Sequence, residues 1–574
     1  MIGRGPDRLT PLADTNKIEL SRLFAKKGLE AEPIQQTKLR ISALMMALCT
    51  TALVLTARAA DLAIFNTVQV KDVVKTASIP VPARAQIVDR NGLLLASDIE
   101  TWDVYVSRVD IDDVSRVSAR LASVEGALPA SVLRRRLVGI SGRYRVARDV
   151  TPKQRQAFYD LAEPGVQFER KLSRYYPNGT LAANMLGWVD AQRSGAQGVE
   201  RAFDARLKEG GAPLRLAMDM RVQFTLEDEL KKAIAEHKPI AATGIITDIT
   251  TGEVLAMASW PNFDSNHFNT ALPDQRRNRA IADPYELGSV FKPLTLAMAL
   301  EAGMKMDQVQ FDVKKKMVIA GRTIRDLHPG PSPMNATDIL VHSSNKGAAQ
   351  LALLAGADRQ REYLDRFGLL DAARIELRES APDYMASPNW SRIKTATIGY
   401  GHGLSVTSLS FVAALAGVVN HGQKLPLSVL PTDPSQLNPV QIVSEETSQN
   451  VRTAMRKVVT DGTGRRADVP GYGVAGKTGS AEKWDPATSS YAKDRNVSSF
   501  VAIFPWEAPK YLVFVLLDEP QGGLSTSGQE TAAWNAAPAV KAIISRIGPL
   551  LDAPYSPPDR QAEDNLSAKA RGER

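Results

Sequence analysis

Residues Tyr285 to Gly303 read YELGSVFKPLTLAMALEAG. Ser289 and Lys292 stand three apart, just ahead of an apolar, helix-forming run. Pro293 fits only the first turn of a helix, so the helix starts close to Ser289. A serine there lies at the positive end of the helix dipole, and a lysine three residues on shares its face. Such a helix start favours an alkoxide and the oxyanion that follows it. A lysine in a poorly solvated place loses affinity for its proton and can act as base. The plain alternative is a serine N-cap beside a surface lysine. The motif alone does not choose, because Ser-x-x-Lys occurs five times, at Ser289, Ser343, Ser391, Ser480 and Ser490.

Two further elements choose. VHSSNKG places Ser343, Ser344 and Asn345 at a predicted helix start. VAGKTGSAEKW places Lys477, Thr478, Gly479 and Ser480 on a predicted strand, and Lys-Thr-Gly occurs once in the chain. Ser-x-Asn by itself is common, recurring at Ser387 and Ser448. The ordered set is specific: Ser-x-x-Lys, Ser-x-Asn 54 residues later, and Lys-Thr-Gly 134 residues after that. A glycine at position 479 lets a strand edge lie flush against a peptide-like substrate.

At 574 residues the chain exceeds a single core, and 44% hydrophobic with 23% charged residues is a globular composition. Cys49 is the only cysteine, so no intramolecular disulfide is possible. Ile41 to Ala57 is uncharged, flanked by Arg40 and Arg58, and reads as a membrane-spanning helix. Residues 1–40 carry eight Lys/Arg against five Asp/Glu, which places the N-terminus in the cytoplasm and the bulk outside. The rival is a cleaved signal peptide, since Ala57–Ala59 resembles a cleavage site. A charged lead of 40 residues is long for an n-region and favours an uncleaved anchor. The net charge of +8 lacks any basic cluster interleaved with aromatics, so no nucleic-acid partner is expected. Six scattered histidines show no ligand spacing, and no metal is expected. His402, in GYGHG, is a lesser candidate to line a cleft.

Asn91-Gly92 and Thr251-Gly252 mark two hairpins, the second within alternating apolar residues. DDVSRVSARLASV, GVERAFDARLKEGG and MRVQFTLEDELKKAIAEH read as helices, and DQRRNRAIAD as a loop and strand framing Ser289. SSFVAIFP and YLVFVLLDE read as strands. Hairpins with helices between them predict an α+β or mixed α/β multidomain chain around an antiparallel sheet, not repeated βαβ units, and α+β is the class expected here. The segment after Asp552 is too poor in apolar residues to fold and is expected to be disordered.

The three motifs, in this order, are those of class A β-lactamases and penicillin-binding proteins. With NRAIADPYELGSVFKPLT, IVDRNGLLLAS, GAQGVERAFDARLKEGG and ATIGYGHGLSVTSLS, the chain resembles the class B, monofunctional penicillin-binding proteins, and among them the division-specific FtsI type. Departures are Arg84-Ala85 for Arg-Gly, Leu287 for proline, Ser410 for glutamine, and Ser480 for threonine, which keeps a hydroxyl. The middle motif is Ser-Ser-Asn, not Ser-Asp-Asn.

The resemblance implies this layout: cytoplasmic tail 1–40, transmembrane anchor 41–60, elongated mixed pedestal (dimerisation-like) domain 67–230, transpeptidase domain 231–551 of the penicillin-binding/serine β-lactamase-like fold, antiparallel sheet flanked by helices, and tail 552–574. It implies that Ser289 attacks the penultimate D-alanine carbonyl of a peptidoglycan stem peptide, with Lys292 as base. Ser343 relays a proton to the leaving amine and Lys477 tunes it. Asn345 holds the substrate amide, Thr478 and Ser480 bind the terminal carboxylate beside Gly479, and the N–H groups of Ser289 and Ser480 form the oxyanion hole. A neighbouring strand's amine then takes the acyl group in a 4→3 cross-link. β-Lactams would acylate the same serine, and no cofactor is implied. The implied setting is the bacterial inner membrane at the division septum, with an FtsW-type glycan polymerase and other division proteins as partners. Three alternatives are an elongation-type transpeptidase, a carboxypeptidase or β-lactamase-like hydrolase, and a β-lactam sensor. Elongation enzymes usually have longer pedestal insertions. The hydrolase would call for a Glu-x-x-Leu-Asn segment between the second and third motifs, and the sensor for several spans; neither is found. Mass mapping of a penicillin adduct is expected to find it on Ser289; an adduct on Ser343, Ser391, Ser480 or Ser490 overturns the assignment.

Overall fold

A computed structural model describes residues 33–60, 83–306, 310–327, 330–372, 375–379, 381, 384–385, 390–485, 487–488 and 490–555. Two units are described separately, divided between Val81 and Pro82. In the first, helix α1 (Pro33–Ala60) contains one stretch, Lys38–Ala60, long and apolar enough to cross a membrane. At 23 residues it spans roughly 35 Å, somewhat more than a bilayer core. The tail before it and the proline-marked linker after it lie outside the described residues.

The second unit begins with a five-stranded sheet. The hairpin at Asn91-Gly92 forms as expected, β1 (Ile87–Val88) pairing antiparallel with β2 (Leu94–Ser107). β2 also pairs with β3 (Arg143–Val150) and β4 (Val166–Tyr175), and β1 lies parallel to β5 (Leu214–Arg215). Helices Val114–Ala122 and Ala130–Val138 bury Leu121, Leu133 and Leu137 with Val104, Val146 and Phe158 in one small core.

The single amphipathic helix expected before Gly210-Gly211 is instead two short ones, Gly198–Ala202 and Asp204–Glu209, broken at Phe203 (φ −112°, ψ 25°). Tertiary ion pairs accompany the break. Glu200 Oε2 accepts from Arg84 Nε at 2.7 Å and Asp204 Oδ1 from an Arg84 terminal nitrogen at 2.7 Å. Arg174 Nε also donates to Glu200, at 2.7 Å, and Arg193 pairs with Asp98. The Arg84, Arg174, Glu200 and Asp98 side chains are buried, so removing one would strand its partner at a cost of about 3–5 kcal/mol.

A strand leads into helix α2 (Met220–His237), as the sequence predicts. β6 (Ala241–Asp248) and β7 (Glu253–Trp260) form the second hairpin. The run DQRRNRAIAD is not loop and strand. It forms two helical turns, Pro273–Arg276 and Arg279–Ala282, where Arg279 pairs with Asp283 four residues on. A 3₁₀ turn, Gly288–Phe291, runs into α3 (Lys292–Glu301). Then come α4 (Asn345–Ala355), α5 (Ser408–Val419) and α6 (Glu445–Thr460). β8 (Ala475–Asp485), β9 (Ser490–Phe504), β10 (Tyr511–Asp518) and α7 (Ala536–Leu550) complete the unit.

The larger sheet is antiparallel in the order β8-β9-β10-β6-β7, with β8 at an edge. The half-buried alternation expected around Thr251-Gly252 does not occur, because helices cover both faces. Ile246, Val513 and Val515 pack with Leu226 and Leu230 of α2 and Val540 and Ile543 of α7. Ile245, Phe514 and Leu516 pack on the other side with Leu294 of α3, Phe411 of α5 and Met455 of α6. A strand covered on both faces needs apolar residues at consecutive positions. Ala553 is buried and Tyr555 stacks edge-on against Tyr472, so residues expected in the tail pack onto the domain; those after 555 lie outside the description.

Candidate active site

α3 carries the first motif because it is apolar all round. Every residue from Lys292 to Ala299 is buried, so the helix runs through the core instead of lying on it. Lys292 at its first position is dragged inside and has 0% of its surface exposed. Pro293 occupies the first turn, where a missing N–H costs nothing.

The Lys292 amine meets four oxygens. Its Nζ lies 2.8 Å from Ser289 Oγ, 2.6 Å from the Ser343 carbonyl, 2.9 Å from Asn345 Oδ1 and 3.2 Å from Ser343 Oγ. The carbonyl and amide oxygens can only accept, so they take two N–H groups. The remaining direction, toward Ser289 Oγ, is an N–H when the amine is charged and a lone pair when it is neutral. Burial first, and then the positive charge of Lys477, push the Lys292 pKa well below the ordinary lysine range; Asp326 opposes the shift.

Lys477, on the edge strand β8, is also 0% exposed. Its Nζ donates to Ser343 Oγ at 3.0 Å and to the carbonyl of Thr478 at 3.0 Å. Burial pushes its pKa down to about 7. Ser343 Oγ thus bridges two buried amines, whose repulsion disfavours protonating both. Ser343 itself holds φ +57°, a left-handed conformation unusual for a non-glycine residue. Ser344 caps α4, accepting from Gly347 N at 3.0 Å.

Thr478 and Ser480 share one side of β8, two residues apart. Thr478 Oγ1 meets Thr463 Oγ1 at 2.8 Å, and Ser480 Oγ accepts from Ala532 N at 3.2 Å, which leaves its own O–H to donate. Gly479 faces the other way, toward the turn that bears Ser289. A Cβ at that position would come within 2.8 Å of the Leu287 carbonyl, 2.8 Å of Val290 Cγ1 and 2.6 Å of Ser499 Oγ. The glycine lets β8 close onto the turn that bears Ser289. Gly288, at φ +59°, serves the same approach from the other side, with the Ser480 carbonyl 3.0 Å from where its Cβ would be.

Residues 242–544 match the family described as penicillin binding protein transpeptidase domain, and residues 79–210 match the penicillin-binding protein dimerisation domain. The chain belongs to the class B penicillin-binding proteins. It is 39% identical over 482 residues to the probable peptidoglycan D,D-transpeptidase FtsI of Caulobacter vibrioides (strain NA1000 / CB15N), covering 82% of this chain and 81% of that protein. To the peptidoglycan D,D-transpeptidase FtsI of Escherichia coli (strain K12) it is 29% identical over 490 residues, covering 78% of this chain and 81% of that protein. Penicillin binding protein 3 from Mycobacterium tuberculosis, in crystals with aztreonam, shares the fold with a TM-score of 0.65 and 26% identity, over 83% of this chain and 98% of that one. The matches bear out the expected class B recognition and α+β architecture.

Of the Ser-x-x-Lys pairs in this penicillin-binding protein, only Ser289–Lys292 brings amine to hydroxyl among the described residues. Ser391 is the ordinary alternative realised: it caps a helix, accepting from Lys394 N at 3.3 Å, while the Lys394 amine lies over the Trp390 ring. Lys346 reaches the carbonyl of Val313 at 2.6 Å, and Lys483 pairs with Asp518 and Glu519 at 2.9 and 2.7 Å. Ser490 lies on β9. His402 packs its ring 5.2 Å from those of Tyr400 and Tyr491, and burial above all holds its pKa down to about 4, so it is neutral at working pH. Sequence reasoning missed Asp326 and Thr463. Neither sits in a spaced motif, and only the fold brings them to the site.

The close approach at position 479 sets an expected outcome. Gly479→Ala must push β8 from the Ser289 turn, lowering penicillin acylation by about 10- to 100-fold while the chain still folds. Acylation kinetics with a thermal melt on the same preparation check it; a near-normal rate would show that the strand need not sit so close.

Proposed function

We propose that this class B penicillin-binding protein cross-links peptidoglycan through an acyl-enzyme on Ser289 during septal wall synthesis. The observation that carries the chemistry is the buried Lys292 amine, 2.8 Å from Ser289 Oγ, with its other directions taken by acceptors. In its neutral form Lys292 accepts the Ser289 proton as Oγ attacks the penultimate D-alanine carbonyl. The oxyanion is held by the Ser289 and Ser480 N–H groups, a pair in which losing one donor costs about 3 kcal/mol. The tetrahedral intermediate collapses by breaking the bond to the terminal D-alanine. Its departing nitrogen takes a proton from Ser343 Oγ, which recovers one from the lysines on either side. Thr478 and Ser480 hydroxyls bind the terminal carboxylate, near the buried Lys477. Asn345 Oδ1 is engaged by Lys292, so the substrate amide is held by the remaining N–H of Nδ2. The acceptor amine of a neighbouring stem peptide then attacks the ester, forming the cross-link and restoring Ser289. β-Lactams take the same route as far as the ester.

The reading for the remainder of the chain is a cytoplasmic tail at 1–40, an inner-membrane anchor at 41–60, a pedestal at 67–230 and a periplasmic catalytic domain at 231–551. The relatives named FtsI and the match to a dimerisation domain support a division role, with the anchor beside an FtsW-type polymerase.

Acylation should rise with pH as Lys292 loses its proton and then level off, because the neutral amine is the reactive form. The limb is expected well below the ordinary lysine value of about 10.4. Lys292→Arg should lose roughly 10²–10⁴-fold in acylation, since guanidinium keeps its proton at every working pH. Stopped-flow kinetics with a fluorescent penicillin measure both, and near-normal acylation by the arginine variant moves the base elsewhere.

For the cell, depletion should block septation while growth continues, giving filamentous or branched cells, with a fluorescent fusion at midcell. Rounded cells with the fusion along the flanks would assign the protein to elongation and leave the Ser289 chemistry as it is.

A further inference from the structure

Asp326 lies outside all three motifs, on the loop that follows a small hairpin formed by Met317–Ile319 and Arg322–Ile324. Ile324 is buried against Ala349 of α4 and Ala396, which pins the loop to the helix that starts at Asn345. The Asp326 carboxylate is fully engaged with that start. Oδ1 accepts from Asn345 N at 2.5 Å and Lys346 N at 2.9 Å, and Oδ2 accepts from Ser344 Oγ at 3.0 Å. Next to it, the Arg325 carbonyl accepts from Asn345 Nδ2 at 3.2 Å. Residues 325 and 326 therefore grip Asn345 by its backbone and its side chain together. The Asn345 Nδ2 contact also sets which end of the amide faces Lys292.

The turn so gripped needs an external restraint. Ser343 is held at φ +57°, and its carbonyl must point at Lys292 Nζ 2.6 Å away. A residue in that conformation relaxes unless its surroundings over-determine it. A carboxylate on the first N–H groups of an 11-residue helix is a favourable partner on both hydrogen-bond and dipole grounds.

Building on the transpeptidase reading above, we propose that Asp326 is a positioning residue for acylation: its carboxylate clamps the Ser343–Asn345 turn so that two oxygens of that turn fix the direction of the Lys292 amine toward Ser289. Its negative charge also opposes the effect of Lys477 on Lys292. Among the described residues, the charged or titratable groups coupled to Lys292 are Lys477 from β8, Asp326 from this loop and the neutral His402 after helix Arg392–Ile398. Taking away the one negative charge weakens protonation of Lys292, so its neutral form persists to lower pH.

The test uses the full chain in detergent, a fluorescent penicillin as probe, and stopped-flow separation of binding from acylation across pH. Asp326→Asn keeps an oxygen for the two backbone N–H groups and removes the charge. Its acidic limb should move to lower pH with a plateau within about threefold of the parent. Asp326→Ala removes clamp and charge, and its plateau acylation rate should fall at least about tenfold while penicillin affinity before acylation changes less than about threefold. A limb in Asp326→Asn that stays put or moves to higher pH overturns the proposal, and so does an Asp326→Ala plateau within about twofold of the parent. A melt of each variant gives the folded fraction; should Asp326→Ala not fold, the Asp326→Asn limb decides alone. Lys292→Ala is run in parallel. Near-normal acylation there sinks the reading of Lys292 as base, whereas an unmoved Asp326→Asn limb with an inert Lys292→Ala sinks only the role of Asp326.

Discussion

A primary amine with no exposed surface is the constraint on which the site depends. Lysine enters the interior of a protein only at the expense of its charge, and the chain accepts that expense at Lys292 and again at Lys477. Burial does two things at once. It lowers proton affinity, so that an amine can serve as base near neutral pH. It also excludes water, so the Ser289 hydroxyl, the Ser343 carbonyl and the Asn345 amide oxygen become the amine's only hydrogen-bond partners in the described structure besides Ser343 Oγ. Direction and reactivity thus come from a single physical circumstance.

That circumstance is created by distant parts of the fold. Lys292 is buried because α3 is the central helix, surrounded by α4, α5 and α6 and backed by the larger sheet. Lys477 is buried because β8, though an edge strand, closes onto the Ser289 turn, an approach that Gly288 and Gly479 permit by lacking side chains. The Ser343–Asn345 turn is the third wall. It carries the strained Ser343 backbone and is gripped from outside by Arg325 and Asp326. The smaller domain holds its own fold by a different device, a buried ring of Arg84, Arg174, Glu200 and Asp98 in which every charge has a partner.

Where sequence reading and structure part, the cause in each case is a contact made at long range. Alternation was expected in the β6–β7 hairpin, but the strands are covered on both faces and are buried at every position except Trp260. One amphipathic helix was expected before Gly210; two short ones formed, with Glu200 and Asp204 each drawn to Arg84 from more than a hundred residues away. Gly479 was read as making room for substrate, and a Cβ there would also meet Ser499 Oγ, the Leu287 carbonyl and Val290 Cγ1. These are tertiary claims on residues whose local pattern says something else.

By itself, the sequence determined the hairpins at Asn91-Gly92 and Thr251-Gly252, the apolar span in α1, the start of α3 at Pro293 and the ordered motifs at Ser289, Ser343 and Lys477. Each depends on local backbone preference or on residue types at fixed spacing, and both survive in a one-dimensional string. Choosing Ser289 over Ser391 needed the motif order, since both serines start helices with a lysine three residues on. Only the tertiary structure decided what becomes of those lysines: Lys394 remains partly exposed over an indole ring, while Lys292 is sealed inside. The same holds for Asp326, 17 residues before Ser343 in no recognisable motif, and for the lowered proton affinities of the two amines. Burial and field are sums over neighbours that the chain brings together only by folding.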